Sequence, residues 1–151
     1  MRQMMAGLLL AAAVSAQVAP PAASPAAAQA ETLPASLACS FTEGGTATWT
    51  AGAFKRSAAA PLAFDIAGID LPGQKAGLKS GSARPAGELR IIRALNANHF
   101  LEVAGEGFLN LTTVYDRDAR NGHYPAVHSR HFGLFGEAVV AQYTGICRAA
   151  P

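Results

Sequence analysis

Throughout the chain beyond its first 36 residues, the hydrophobic periodicity reads as β, with a period of two. Leu62, Phe64 and Ile66 alternate with Ala63, Asp65 and Ala67. Leu89, Ile91, Arg93 and Leu95 share one face, with Arg90 and Ile92 on the other. Leu109, Leu111, Thr113 and Tyr115 oppose Phe108, Asn110, Thr112 and Val114, and Val139 to Cys147 alternates in the same way. Alternation over four to eight residues rich in Val, Ile, Thr, Tyr and Phe is the signature of half-buried strands. No window carries a capped i, i+3, i+4, i+7 stripe. Turn clusters punctuate the runs: Glu43-Gly44-Gly45, Leu71-Pro72-Gly73, Arg84-Pro85-Ala86-Gly87, Asn96-Ala97-Asn98, Gly105-Glu106-Gly107, Asp116 to Gly122 and Gly133 to Gly136. Gly and Asn supply the positive φ that tight reversals need, and Pro fixes φ at a first turn position.

The pattern predicts an all-β fold, a single antiparallel domain of about eight strands. The segments fall at 37–42, 46–54, 61–69, 76–82, 88–95, 99–104, 107–115, 123–131 and 137–147. That is one more than eight, so one is expected to be a short edge piece. Short connections from residue 88 onward favour hairpins, because parallel neighbours need long crossovers. A meander closing into a barrel removes exposed edges, and a sandwich is the other arrangement these strands allow. Trp49, the only tryptophan, stands at strand spacing with Ala47 and is expected in the core or on the barrel floor.

The start of the chain reads differently. Arg2 gives a short basic region, and Ala6 to Val14 is an unbroken apolar run including Leu8-Leu9-Leu10. The run is far shorter than the ~20 residues of a membrane-spanning helix, and with a small-residue exit it makes a secretory signal peptide. Ala28-Gln29-Ala30 matches the A-x-A exit directly before Glu31, and Val14-Ser15-Ala16 is an earlier alternative. The expected organisation is a signal peptide over 1–30, a short linker over 31–36 and the β domain over 37–148, with a periplasmic or secreted location. Twelve of the 34 alanines lie in the first 30 residues, so the 50% apolar composition overstates the core. The net charge of +2 falls to +1 without Arg2. With no basic run or face, nothing points to nucleic acid.

Cys39 and Cys147 are the only cysteines. In an exported chain they read as a disulfide linking the domain's ends. A bridge needs their Cα atoms within about 7 Å, which makes the first and last strands neighbours or places them face to face. The alternative is a lipoprotein box at Ser36-Leu37-Ala38-Cys39. It lies more than 20 residues beyond the apolar run, lacks the expected leucine at position 36, and would strand Cys147.

The densest polar stretch runs from Asp116 to His131 and holds three of the four histidines. His123, His128, Arg130, His131, Asp116 and Asp118 are the candidate binding residues. A metal site would pair His128 and His131, but on a strand positions three apart point to opposite faces. His123 and His131 share a face about 26 Å apart at ~3.3 Å per residue. A Ser129-based triad lacks the strained turn that presents a nucleophile. No metal, other cofactor or catalytic group is therefore assigned. His99 at a strand start is expected to be structural. Gly105-Glu106-Gly107 is too short for a phosphate loop, and the sequon at Asn110-Leu111-Thr112 falls within a strand.

The ending Gln142-Tyr143-Thr144-Gly145-Ile146-Cys147, with Thr112-Thr113-Val114-Tyr115 and Ala126-Val127-His128-Ser129-Arg130-His131, resembles a group of small exported proteins of alphaproteobacterial type. These carry an early cysteine and a late Tyr-x-Gly-x-Cys. The resemblance spans about residues 37–148, implies a periplasmic or secreted bacterial protein, and transfers no active site. Lipocalins and small-barrel lysozyme inhibitors are architectural analogies only. Gly45 and Trp49 miss the lipocalin Gly-x-Trp spacing, and Ser80-Gly81 lacks the inhibitors' following tyrosine. The expected function is non-catalytic binding, of a small apolar ligand inside a barrel or of an envelope protein or glycan on its surface. The rival is a small periplasmic hydrolase or metal-binding protein using the 123–131 region.

Overall fold

The computed structural model describes residues 32–79, 87–104, 108–134 and 136–151. The signal segment, the Ser80-Gly81 stretch and the Gly105-Glu106-Gly107 turn lie outside the described residues. Among the described residues nine strands form one antiparallel sheet: β1 (Ser36–Thr50), β2 (Ala53–Ala58), β3 (Leu62–Asp70), β4 (Lys75–Lys79), β5 (Gly87–Arg93), β6 (Ala97–Ala104), β7 (Phe108–Tyr115), β8 (Tyr124–Leu134) and β9 (Glu137–Ala149). β1 pairs with β9 from Leu37↔Ala149 to Thr48↔Val139, closing β1 and β3 to β9 into an eight-stranded barrel. Closure decides for a barrel over a sandwich. β2 alone stands outside the ring, paired along the second half of β1.

The disulfide forms between direct cross-strand partners. Cys39 faces Cys147 with Cα atoms 4.0 Å apart, a covalent tie across the strand pair that closes the barrel. A link spanning 108 residues of sequence stabilises by up to about 4.7 kcal/mol in the chain-entropy account. Such a bond fits an oxidising compartment.

Side chains alternate as the period of two requires. Leu37, Cys39 and Phe41 of β1, Phe64 and Ile66 of β3, Leu89 and Ile91 of β5, and Tyr143 and Cys147 of β9 fill the interior. Asp65, Lys75, Lys79, Glu88 and Arg90 are exposed on the wall. Among the described residues no helix is long and apolar enough to cross a membrane.

The sequence reading needs correction in β1. Glu43-Gly44-Gly45 is not a turn, because the segments 37–42 and 46–54 belong largely to one strand that runs through it. The pairing with β9 shifts there: Phe41 faces Gly145 but Glu43 faces Thr144. Such a bulge adds one residue on one strand and reverses which parity points inward. Before it the odd residues face the core; after it Gly44, Thr46 and Thr48 stand opposite the buried Tyr143, Ala141 and Val139. Trp49 is thereby turned out of the barrel and is 45% exposed, contrary to its expected place in the core. Two glycines accommodate the crowding. A Cβ at Gly145 would collide with the Ser40 carbonyl and the Phe41 backbone, and one at Gly44 would meet the Tyr143 ring.

The reversal read at 43–45 occurs at Ala51-Gly52 instead, both at positive φ (52° and 80°). Two successive positive φ values make the two-residue turn that suits strand twist. β2 has no counterpart of its own among the expected segments, since Ala53-Phe54-Lys55-Arg56-Ser57-Ala58 buries nothing and so carries no alternation.

Candidate functional site

The polar stretch at 116–131 is divided among three settings. Asp116 and Asp118 belong to the β7–β8 loop. The Asp116 carboxylate stands 3.8 Å from the Arg93 guanidinium. Asp118 accepts bonds from the Arg120 backbone N–H (2.9 Å), Nε (3.0 Å) and Nη2 (2.9 Å). Those bonds, the side-chain ones first, hold its carboxyl down at about 2. The Asp118 carbonyl accepts from the Gly122 N–H, and its own N–H donates to the His123 carbonyl. It is thus the loop's organising residue.

His123 sits at the loop's end and accepts a 3.0 Å hydrogen bond from Arg148 Nε. His128 points inward and is 1% exposed. Its Nδ1 is hydrogen-bonded to Thr112 Oγ1 at 2.9 Å, and its ring packs 5.1 Å from Phe64, 5.6 Å from Phe41 and 6.0 Å from Tyr143. His131 is exposed on the outer wall. The candidates therefore do not converge on one point. Among the described residues no group of three His, Cys, Asp or Glu side chains is placed to hold a metal. His99 is hydrogen-bonded to Thr113 at 2.9 Å.

Arg130 also points inward, between Asn110 on β7 and Ala141 on β9 in register. Its guanidinium lies 5.7 Å over the Phe132 ring, and Phe132 stacks on Phe108 at 5.2 Å. Asn110, 3% exposed, donates to Glu102 Oε2 at 2.8 Å. Arg130 Nε and Asn110 Oδ1 are buried without partners among the described residues. A withdrawn polar atom left unbonded costs about 1–3 kcal/mol, so this row has unspent capacity for a donor and an acceptor.

An apolar feature on the outside lies where the sequence pointed inward. Trp49 (45% exposed) and Phe54 (52%) meet edge to face at the tip of the β1–β2 hairpin, 5.0 Å apart. Below them is a groove of about 540 Å³, its floor made by Gly45 and Ala47 and its sides by Phe54, Arg56, Val140 and Gln142. It exists because the bulge turns small residues outward on β1, between longer side chains of β2 and β9. The apolar character continues around the wall along one row of cross-strand partners: Ala47, Val140, His131, Leu109 and Val103. Val103 is 74% and Leu109 41% exposed. His131 is thus the one candidate histidine adjoining this face. Thr46 and Ser57 Oγ atoms share a 2.6 Å bond across the hairpin, and Thr50 donates to Glu137 at 3.2 Å, anchoring it to β9.

Sequence reasoning missed the groove residues. The available signal was the pair of small outward positions, Gly45 and Ala47, beside an Ala-Gly turn. These features define a disulfide-closed, eight-stranded antiparallel barrel bearing one projecting hairpin. Comparison with family models, curated proteins and solved structures finds no match.

Proposed function

We propose that the protein is an exported, non-catalytic binding module whose contact surface is the outer face of the β1–β2 hairpin, engaged by a protein partner in the envelope or beyond it. The observation that carries this reading is the exposed Trp49–Phe54 pair above an apolar groove. Exposed aromatic residues are what binding surfaces concentrate, and an isolated apolar patch of this kind costs solubility unless it is used. The interior speaks against a large apolar ligand at the level of His128, where Phe41, Phe64 and Tyr143 pack around the imidazole. Export rests on the leader read over 1–30 and on the disulfide; N-terminal sequencing of the mature protein is expected to start at Glu31, or at Gln17 from the earlier site.

Trp49 is the only tryptophan, so protein labelled with 5-fluorotryptophan has one ¹⁹F resonance at the site. Extract from the source envelope should shift or broaden it, and an unlabelled excess of this protein should reverse the change. A resonance indifferent to extract that does retain the protein elsewhere on its surface would overturn the reading.

A second reading, a small polar ligand held inside the barrel by the Asn110–Arg130 row, is favoured by its two unpartnered buried atoms. Native mass spectrometry of protein taken from its own compartment tests it: a retained adduct lost in Arg130→Leu supports it, and the bare mass contradicts it.

A further inference from the structure

The free edge of β2 is a second feature of the hairpin, and it has a different chemistry from the groove. β2 is the terminal strand of the sheet order, and among the described residues it pairs with β1 alone. The direction of its backbone groups follows from one bond: Ala59 N–H donates to the Gly44 carbonyl on β1. Antiparallel pairing alternates bonded and non-bonded positions. Ser57, Lys55 and Ala53 therefore turn their N–H and C=O groups to β1, and Ala58, Arg56 and Phe54 turn theirs to the open edge.

We propose, resting on the hairpin as the contact surface, that this edge accepts an extended acidic peptide segment of the partner as an added strand. Main-chain bonds to an exposed edge supply affinity, and alternate side chains supply specificity. The charges name the segment. Lys55 and Arg56 occupy adjacent positions on opposite faces of β2, both exposed, and neither makes an ion pair with a described residue. A strand laid beside them satisfies both with two consecutive acidic residues, one opposite each. The flanking residues then stand opposite Phe54 and Ser57, and an apolar residue one position further on meets Ala58.

The same charges argue against a second copy of this chain as the occupant. Antiparallel self-pairing centred on Lys55, on Arg56 or between them sets cation against cation, and like charges directly opposite are destabilising. Edge lysines also guard against indiscriminate pairing. Here the guard selects, since an acidic segment turns the repulsion into attraction.

The test uses the full mature chain and three synthetic eight-residue peptides. One has two adjacent acidic residues flanked by valines, one has lysines in their place, and one has the acidic sequence broken by proline. Amide hydrogen exchange is followed by NMR. The acidic peptide should slow exchange at Phe54, Arg56 and Ala58 and leave Lys55 and Ser57 as they are, with binding that weakens as salt is raised. Ala58→Pro removes one edge donor without touching a bond to β1 and should weaken binding about tenfold. The double variant Lys55→Glu, Arg56→Glu should lose the acidic peptide and gain the lysine one, which separates lost charge from lost fold.

Binding that shifts the Trp49 resonance without slowing those amides would overturn strand addition and leave the groove reading standing. Equal binding of all three peptides would overturn it as well. Slow exchange at the three amides in the free protein, with sedimentation as a dimer, would show that the edge is taken by a second copy. If the peptide adds as described but envelope extract leaves Trp49 unmoved, strand addition stands and the proposed partner surface fails.

Discussion

The barrel body and the β1–β2 hairpin share a strand and use it in opposite ways. In the first half of β1 every second side chain is buried: Leu37 and Phe41 are fully enclosed and Cys39 is 3% exposed. This half is held on one side by β3 and on the other by β9. The second half is held by β9 and by β2, a strand with no buried residue, and it displays its aromatic side chain to solvent. A single bulge between Phe41 and Glu43 separates the two regimes. One inserted residue therefore converts a strand that builds a core into one that presents a surface. The body is tied covalently through Cys39–Cys147, and the β2 arm of the hairpin buries no residue of its own.

The largest effect expected is in the body. Replacing both cysteines by alanine should lower the unfolding free energy by about 2–5 kcal/mol, measured by urea denaturation. A loss below 1 kcal/mol would mean that the β1–β9 seam holds without its covalent tie. Next is the bulge itself. Gly145→Ala forces a Cβ onto the Ser40 carbonyl and the Phe41 backbone, and should cost about 1–3 kcal/mol; a neutral result would show that the two strands can separate there.

Hairpin changes should be smaller. Ala51 holds φ of 52°, a conformation that costs a non-glycine residue roughly 1 kcal/mol. Ala51→Gly should therefore be neutral or stabilising by about 0.5–1 kcal/mol, the relief offset in part by glycine's entropy. Trp49→Ser with Phe54→Ser should shift stability by about 1 kcal/mol or less, so that lost binding in this variant reports contact rather than unfolding.

The smallest effect is in the β7–β8 loop. Arg120 holds the Asp118 carboxyl at about 2 against an ordinary 3.8. A carboxylate depressed on folding stabilises above its unfolded pKa and loses that contribution as pH falls toward its folded one. Carboxyl NMR should find the Asp118 midpoint near 2 in the wild type and raised in Arg120→Ala, which loses the guanidinium bonds but keeps the backbone N–H bond. Equal midpoints in the two proteins would mean that the loop is held by its backbone bonds alone.

What could be read in advance follows the same division. Strands β3 and β5 to β9 announce themselves because each buries alternate residues against one core, and period two records that burial directly. The two cysteines could be paired because only two exist and because the ends of a closed barrel must meet. β2 left no such record, since an exposed strand has no apolar face to mark it. Glu43-Gly44-Gly45 looked like a turn because glycines serve turns and close approaches alike. Here Gly44 lies against Tyr143, a contact 99 positions away in sequence that no local pattern encodes. Trp49, expected in the core from its strand spacing with Ala47, faces outward because the bulge between Phe41 and Glu43 sets which parity points inward. The histidines were separable by face from strand geometry, yet Thr112 as the partner of His128 becomes visible only with the β7–β8 register.

Docking of a partner on the hairpin's outer face, as proposed above, is open to a direct test. Site-specific photo-crosslinking in the source compartment tests it most directly, with a photoreactive residue in place of Phe54 and, for comparison, of the exposed Asp65 on β3. Position 54 should give a discrete adduct, abolished by Trp49→Ser, and position 65 none. Adducts of equal yield from both positions, or from 65 alone, would contradict it.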